Sequence, residues 1–227
     1  MDKINVKLYR VEPIPKEQTH EWLLKKHYAH RIPPIMESFG LYDGDRKLQG
    51  VCTFGMPTRM FNDGDAVFGG NLSQRTLELN RLVVNENLGK NVLSFFVSKC
   101  LMLLPKPLCV VSYADSNAGH HGYIYQATNW IFTGKTEPRS KFVDINGKDV
   151  HERTIWSRYG SEEKALASKE IIKTQQEGKY RYFQFLGSRE EVQRMKSLLA
   201  YPIQKYPKGQ NSRYDASYKP TTMGTLF

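Results

Sequence analysis

Residues 108–130 read LCVVSYADSNAGHHGYIYQATNW, and this stretch decides the fold. Leu108, Cys109, Val110 and Val111 make the continuous apolar run that a strand buried on both faces requires. The run turns abruptly polar at Ser112, Tyr113, Asp115, Ser116 and Asn117, then passes Gly119, His120 and His121 to Tyr123 and Tyr125. Open α/β sheets place their chemistry just beyond the carboxyl ends of such strands. A plain polar turn into a short helix at about 122–128 has the same composition, so the cluster alone leaves both readings open.

Upstream, VLSFFVSKCLMLL (92–104) is a strongly apolar helix that Asn91 caps and Pro105 ends. Before it, TLELNRLVV (76–84) is a strand. Period two puts Leu77, Leu79 and Arg81 on one face and Glu78, Asn80 and Leu82 on the other. Residues 35–55 predict two strands joined by a hairpin at Asp43-Gly44, and 61–71 a glycine-rich loop. Residues 6–11 form a first strand, and 16–30 a helix that must stop before Pro33 and Pro34. Downstream come a strand at 129–133, a basic hairpin insertion over 134–160 turning at Asn146-Gly147, and a surface helix over 161–176. A last strand, YRYFQFL (180–186), and a closing helix (189–199) follow. The alternation predicts a mixed-direction α/β sheet in one domain, 1–200, followed by a basic, tyrosine-rich arm, 201–227.

The formal net charge of +10 favours an acidic partner, nucleic acid first. Cys52, Cys100 and Cys109 lie inside apolar runs without CxxC spacing, as buried thiols of a reducing compartment do. The opening MDKINVKLYRVEPI is too polar for a signal peptide, and no apolar stretch is long enough to span a bilayer, which predicts a soluble intracellular protein.

Four groups of residues carry candidate chemistry. His27, Tyr28 and His30 end the first helix; an HxxH pair with Asp115 would supply the nitrogen and oxygen donors that suit iron, although such pairs are common by chance. Arg81 suits a phosphate or a developing oxyanion, with Asp115 its expected partner, and a surface salt bridge is the plainer reading. The turn ENLGKN (86–91) opens a helix N-terminus, where free amides hold anions. Asp115 is a general base or a metal ligand, and Tyr123 and Tyr125 are candidates to stack on an extruded base or donate a proton. Their spacing sends those two tyrosines different ways on a helix. Ser112 as a nucleophile would need a base beside it, and none is visible.

HYAHRIP (27–33), ELNRLVVN (78–85), GKNVLSFF (89–96) and above all SYADSNAGHHGYIYQATNWIFTG (112–134) resemble the Mom DNA-modification proteins of Mu-like bacteriophages. The resemblance runs over about 20–135 and returns at YRYFQFL and YPKG. It implies an acetyltransferase-like (GNAT) mixed central sheet flanked by helices. It also implies a transferase that converts adenine in phage DNA to its carbamoylmethyl derivative, hiding the genome from restriction enzymes in the cytoplasm of the infected bacterium. Carried onto this chain, it implies functional roles for Tyr28, Arg81, Asp115 and Tyr125, with His27 as an iron ligand. Asn87, Gly89, Lys90 and Asn91 would form the donor-binding turn.

That turn departs from the acetyltransferase pattern, which cradles coenzyme A pyrophosphate with Gln or Arg, two residues, Gly, one residue, then Gly or Ala. Here Glu86 stands first and Asn91 last, which counts against coenzyme A. The product offers a second argument. It carries a methylene on the adenine nitrogen and a terminal carboxamide, so simple acetylation leaves a nitrogen missing. Glycyl transfer to the exocyclic amine gives an isomer, and attack of the glycyl amine on the six-position ring carbon then exchanges the nitrogens. A glycyl donor, glycyl-tRNA, meets this requirement; acetyl coenzyme A with iron-dependent oxidation is the rival. The partners expected are DNA and tRNA, with no membrane, and the opposing class is a catalytically silent nucleic-acid-binding protein.

Overall fold

In chain order the strands are β1 (Arg10–Pro13), β2 (Glu37–Tyr42), β3 (Leu48–Gly55), β4 (Thr76–Val84), β5 (Leu108–Ala114), β6 (Ile131–Lys135), β7 (Arg139–Asp144), β8 (Asp149–Val150), β9 (Ile171–Gln176) and β10 (Tyr180–Leu186). The structure, a computed structural model, describes residues 6–57, 76–86, 88–150 and 152–209. The glycine-rich 61–71 stretch, Asn87 and the arm beyond 209 lie outside the described residues. Seven strands form one sheet in the order β1-β2-β3-β4-β5-β10-β6, and β8-β7-β9 form a second. Among the described residues only β4 and β5 pair in parallel, and the other pairings are antiparallel. The chain is therefore a mixed α/β fold, as the alternation of patterns predicts.

β5 is apolar throughout its first half because both of its faces are covered. On one side α1 (Val92–Leu103) lays down a stripe of Val92, Phe96, Val97, Cys100 and Leu101. The stripe packs into a core that includes Phe39, Phe54, Leu79 and Trp130. Truncating a side chain as buried as Phe96 to Ala costs about 3–5 kcal/mol in such cores. Between β5 and β6 lies the short α2 (Tyr123–Ala127). On β5's other side α5 (Arg189–Ser197), opened by a reciprocal Ser188–Glu191 capping box, seats Met195 over Cys109, Val111, Phe183 and Phe185. The three cysteines are buried free thiols.

Several elements differ locally from expectation. β1 starts at Arg10, after a 3-10 turn at Val6–Leu8, and runs into Pro13, which an edge strand tolerates. Residues 16–26 are helical in two irregular pieces, a 3-10 turn (Lys16–Thr19) and a π turn (Trp22–Lys26), and bury Trp22 and Leu23. The β2–β3 connection is a longer loop than a two-residue Asp-Gly turn. The Asp43 carboxylate accepts from the Asp45 and Lys47 amides, and Arg46 takes the left-handed backbone (φ 60°). Asn91 sits at the head of α1 with a left-handed backbone (φ 70°) and no side-chain capping bond.

Residues 161–176 are a helix and then a strand. α3 (Glu152–Tyr159) precedes α4 (Glu162–Ala167), and Lys169, at φ 60°, redirects the chain into β9. Ile171 is buried there with Phe142, Ile155 and Ala165, so a small apolar cluster under the second sheet overrides the helical charge pattern. The turn at Asn146-Gly147 joins β7 and β8 as expected, with Gly147 left-handed (φ 77°). Beyond α5 the arm crosses β6: the Gln204 amide donates to Phe132 and the Tyr206 hydroxyl to the Trp130 carbonyl.

Candidate active site

β4 and β5 stay paired only as far as Glu78 and Val111, then diverge. The Ser112 hydroxyl spans the opening, 2.7 Å from the Leu79 carbonyl and 2.7 Å from the Tyr125 hydroxyl. Ser112 is thus a structural bridge that satisfies a carbonyl the parted strands would leave bare. On the far side of β4 the register with β3 slips: Thr53 faces Arg81 and Phe54 faces Leu79, so Asn80 is an extra residue. Its side chain ties down the bulge, accepting from Thr53 and donating to the Pro34 carbonyl. The slip reverses the alternation. Leu82 and Val84 rejoin the core of Leu77 and Leu79, and Arg81 turns to the opposite face with Glu78. Period two without the bulge puts Arg81 beside Leu79; the structure corrects that.

The face of Glu78 and Arg81 is walled by three other segments. The first helical segment ends in His27, whose backbone is already extended, and Tyr28, whose ring stacks on His27 at 4.4 Å. The loop after β5 brings His120 edge-on to Tyr28 at 5.5 Å. It also brings Asp115, which accepts from the Asn117 amide and starts a one-turn 3-10 helix. Lys179, just ahead of β10, places Nζ 2.9 Å from Asp115 Oδ2. The loop closes at Gly122, which is left-handed and so close to the Tyr182 ring that there is no room for a Cβ. Tyr182 in turn donates to the His121 carbonyl at 2.5 Å.

The electrostatics of these groups are coupled. Burial pushes the Glu78 carboxyl up to about 7, against the downward pull of Arg81 and Lys179. Burial lowers the Arg81 guanidinium, with Tyr28 and Glu78 raising it and Arg31 lowering it further. Burial drives His27 down to about 3, helped by Arg81, His120, His30 and Lys179, so its imidazole is neutral. Burial works to raise Asp115, and the hydrogen bonds and charge of Lys179, with Asn117, outweigh it and hold the carboxyl below its usual value. Arg81 Nη1 donates to the Asn80 carbonyl at 2.6 Å, while its buried Nε finds no hydrogen-bond partner among the described residues.

Of the expected residues, Tyr28, Arg81, Asp115 and His27 come together here. Asp115 takes Lys179 as its ion-pair partner, where the sequence suggests Arg81. The Tyr125 ring is buried against Trp130 and Tyr182, so it cannot be a stacking wall. Its hydroxyl, bonded to Ser112, lies within range of the charges of Tyr28 and Glu78. Tyr123 points to solvent, 68% exposed. The HxxH pair diverges: His27 Nδ1 accepts from the Ala29 amide and His30 Nδ1 bonds back to the Leu24 carbonyl. Among the described residues no three His, Cys, Asp or Glu side chains are grouped to hold a metal, and the cationic surroundings of His27 suit a cation poorly. The residues present do not fit an iron centre at His27.

Gly89, Lys90 and Asn91 lead into the N-terminus of α1, and Asn87 lies outside the described residues. The carboxylate of this turn is engaged: Glu86 Oε1 lies 2.7 Å from Nζ of the fully buried Lys26. Sequence reasoning missed Glu78 and Lys179. The signal for Glu78 was a carboxylate between two core leucines on a central strand; Lys179 carried none beyond its place beside YRYFQFL.

The model of the Mom protein family matches residues 8–208. A relative from Escherichia phage Mu, the methylcarbamoylase Mom, is 30% identical over 209 residues, covering 88% of this chain and 83% of that protein. Among solved structures, the chain is similar to a spermidine N-acetyltransferase from Vibrio cholerae in complex with CoA and spermine. That likeness has 9% identity and a TM-score of 0.44, over 82% of this chain and 99% of that one. It is also similar to a ribosomal-protein-S5-alanine acetyltransferase from Vibrio fischeri, with 11% identity and a TM-score of 0.43 over 78% and 93% of the two chains.

Proposed function

This chain belongs to the Mom protein family, and from that premise we propose that it is a transferase that acts on adenine in DNA and yields the carbamoylmethyl base. The observation that carries the reading is Arg81: a half-buried guanidinium that the bulge at Asn80 turns to the face of Glu78, within electrostatic range of Tyr28. A guanidinium so placed suits an anionic ligand, a phosphate or the oxyanion of an acyl transfer.

The acceptor is an adenine extruded from the duplex, since its exocyclic amine cannot be reached while stacked. Tyr28, 38% exposed and braced by His27 and His120, is the aromatic wall for it. The donor is a glycyl ester carried on tRNA, its phosphates held by Lys90 and by the amides at the head of α1. The net charge of +10, with the second sheet and the C-terminal arm, supplies the grip on the DNA backbone. No helix among the described residues is long and apolar enough to cross a membrane.

Feeding nitrogen-labelled glycine to cells that express the chain tests the donor. The expected result is label in the modified adenine. Label arriving from acetate, with none from glycine, replaces the donor and leaves the acceptor standing. Arg81→Lys is expected to cut modification by at least about tenfold, because an ammonium lacks the planar fork; modification at the wild-type level would remove Arg81 from the site.

A further inference from the structure

We propose that Glu78 is the side chain that takes the proton from the adenine amine during acyl transfer, with Asp115 as a positioning residue. The inference rests on the adenine acyl-transfer reading above and assigns its proton acceptor.

Geometry comes first. Glu78 is the last β4 residue still paired with β5, opposite Val111 and next to Gly55 of β3, so it stands where the strands part. The bulge at Asn80 turns Arg81 to the same face. The charged and titratable groups facing Glu78 are Arg81 from its own strand, Lys179 from the start of β10 and the Tyr125 phenol from α2. Asp115, by contrast, is committed. One oxygen meets Lys179 at 2.9 Å and the other accepts from the Asn117 amide at 3.1 Å, an arrangement that holds a loop and weakens a base. Burial leaves the Glu78 carboxyl near neutrality, matched to both accepting and returning a proton at the pH of a cell.

The step balances without an oxidant or reductant. The adenine amine nitrogen bonds to the carbonyl carbon of the glycyl ester, and the ester bond to the ribose oxygen breaks. The amine proton passes to the Glu78 carboxylate and on to the leaving ribose oxygen, so Glu78 ends as it began. Arg81 faces the oxygen that carries negative charge in between.

The test compares wild type, Glu78→Gln, Glu78→Asp and Asp115→Asn, each expressed as the full chain in bacteria, by mass spectrometry of DNA nucleosides. Purified proteins supply DNA affinity and a titration of the carboxyl infrared band. Glu78→Gln is expected to lose modification by at least about a hundredfold while keeping DNA affinity. Glu78→Asp, which keeps a carboxyl, is expected to retain part of it. The infrared titration should show a carboxyl ionising near neutrality in wild type and Asp115→Asn that is absent from Glu78→Gln. Modification by Glu78→Gln within threefold of wild type, or persistence of that titrating carboxyl in Glu78→Gln, overturns the assignment alone. A wild-type chain that leaves adenine untouched overturns the proposed function and this assignment with it.

Discussion

Lys179 Nζ and Asp115 Oδ2 lie 2.9 Å apart, tying the loop that follows β5 to the start of β10. Asp115 is the more enclosed partner, its side chain 16% exposed against 45% for Lys179. With the Ser116 hydroxyl on the Gly178 carbonyl and Asn117 on Glu177, the pair fastens the loop that carries His120 against Tyr28. Asp115→Asn and Lys179→Met remove the same tie. Their effects on modification should therefore not multiply: the double variant is expected within roughly twofold of the worse single one. Rates that fall as the product of the two would mean that the residues act independently.

The split between β4 and β5 is bridged by the Ser112 hydroxyl. Ser112→Ala leaves the Leu79 carbonyl and the Tyr125 hydroxyl without this partner in a buried place, which costs about 1–3 kcal/mol. Tyr125→Phe removes one bond and leaves Ser112 its carbonyl, so its cost is expected to be smaller, about 1 kcal/mol. Thermal or denaturant unfolding of the two variants ranks them; equal stability of Ser112→Ala and wild type would mean that the bridge carries no weight.

Glu78 and His27 give stability opposite dependences on pH. Glu78 stands at about 7 in the fold against an ordinary 4.5, so the native chain holds that proton more tightly than the unfolded one. The stability it contributes is complete below about 4.5 and is lost as pH rises to about 7. Glu78→Gln cannot ionise, and is expected to be more stable than wild type at pH 8 by up to about 3 kcal/mol, with little difference at pH 4. His27 is held down to about 3, chiefly by burial, so its contribution is complete above about 6.5 and lost as pH falls toward 3. His27→Gln should flatten that acid limb. Melting temperatures across pH 4–8 check both signs, and a Glu78→Gln variant less stable at pH 8 than at pH 4, relative to wild type, would contradict the first.

Glu86 joins the turn that leads into α1 to the first helical segment through Lys26, whose side chain is fully buried. Removing the carboxylate from beside a buried ammonium costs more than removing the ammonium from beside a half-exposed carboxylate. Glu86→Gln is thus expected to destabilise more than Lys26→Met, by about 1 kcal/mol or more. The reverse order in chemical denaturation would show that Lys26 draws its support from elsewhere.

The sheet and the two main helices could be read from the chain because their patterns are local. The apolar run of β5, the alternation of YRYFQFL and the stripe of α1 each declare a period within a dozen residues. Tyr28, Arg81 and Asp115 were legible as candidates through short motifs. Their partners were not, because partnership is set by tertiary register. A single extra residue at Asn80 moves Arg81 from the face of Leu79 to that of Glu78, and no propensity announces a bulge. Lys179 reaches Asp115 only because β10 runs antiparallel to β5, with Tyr180 opposite Ala114. β9 was hidden by its charged and polar surface positions, which left only Ile171 to mark the small second core.

Mass spectrometry of the deoxynucleosides from bacteria expressing the wild-type chain tests the central claim most directly. The expected result is a deoxyadenosine bearing a carbamoylmethyl group, absent from cells without the chain and reduced by at least about a hundredfold in those expressing Glu78→Gln. Unaltered deoxyadenosine in cells that accumulate the folded protein would contradict the account.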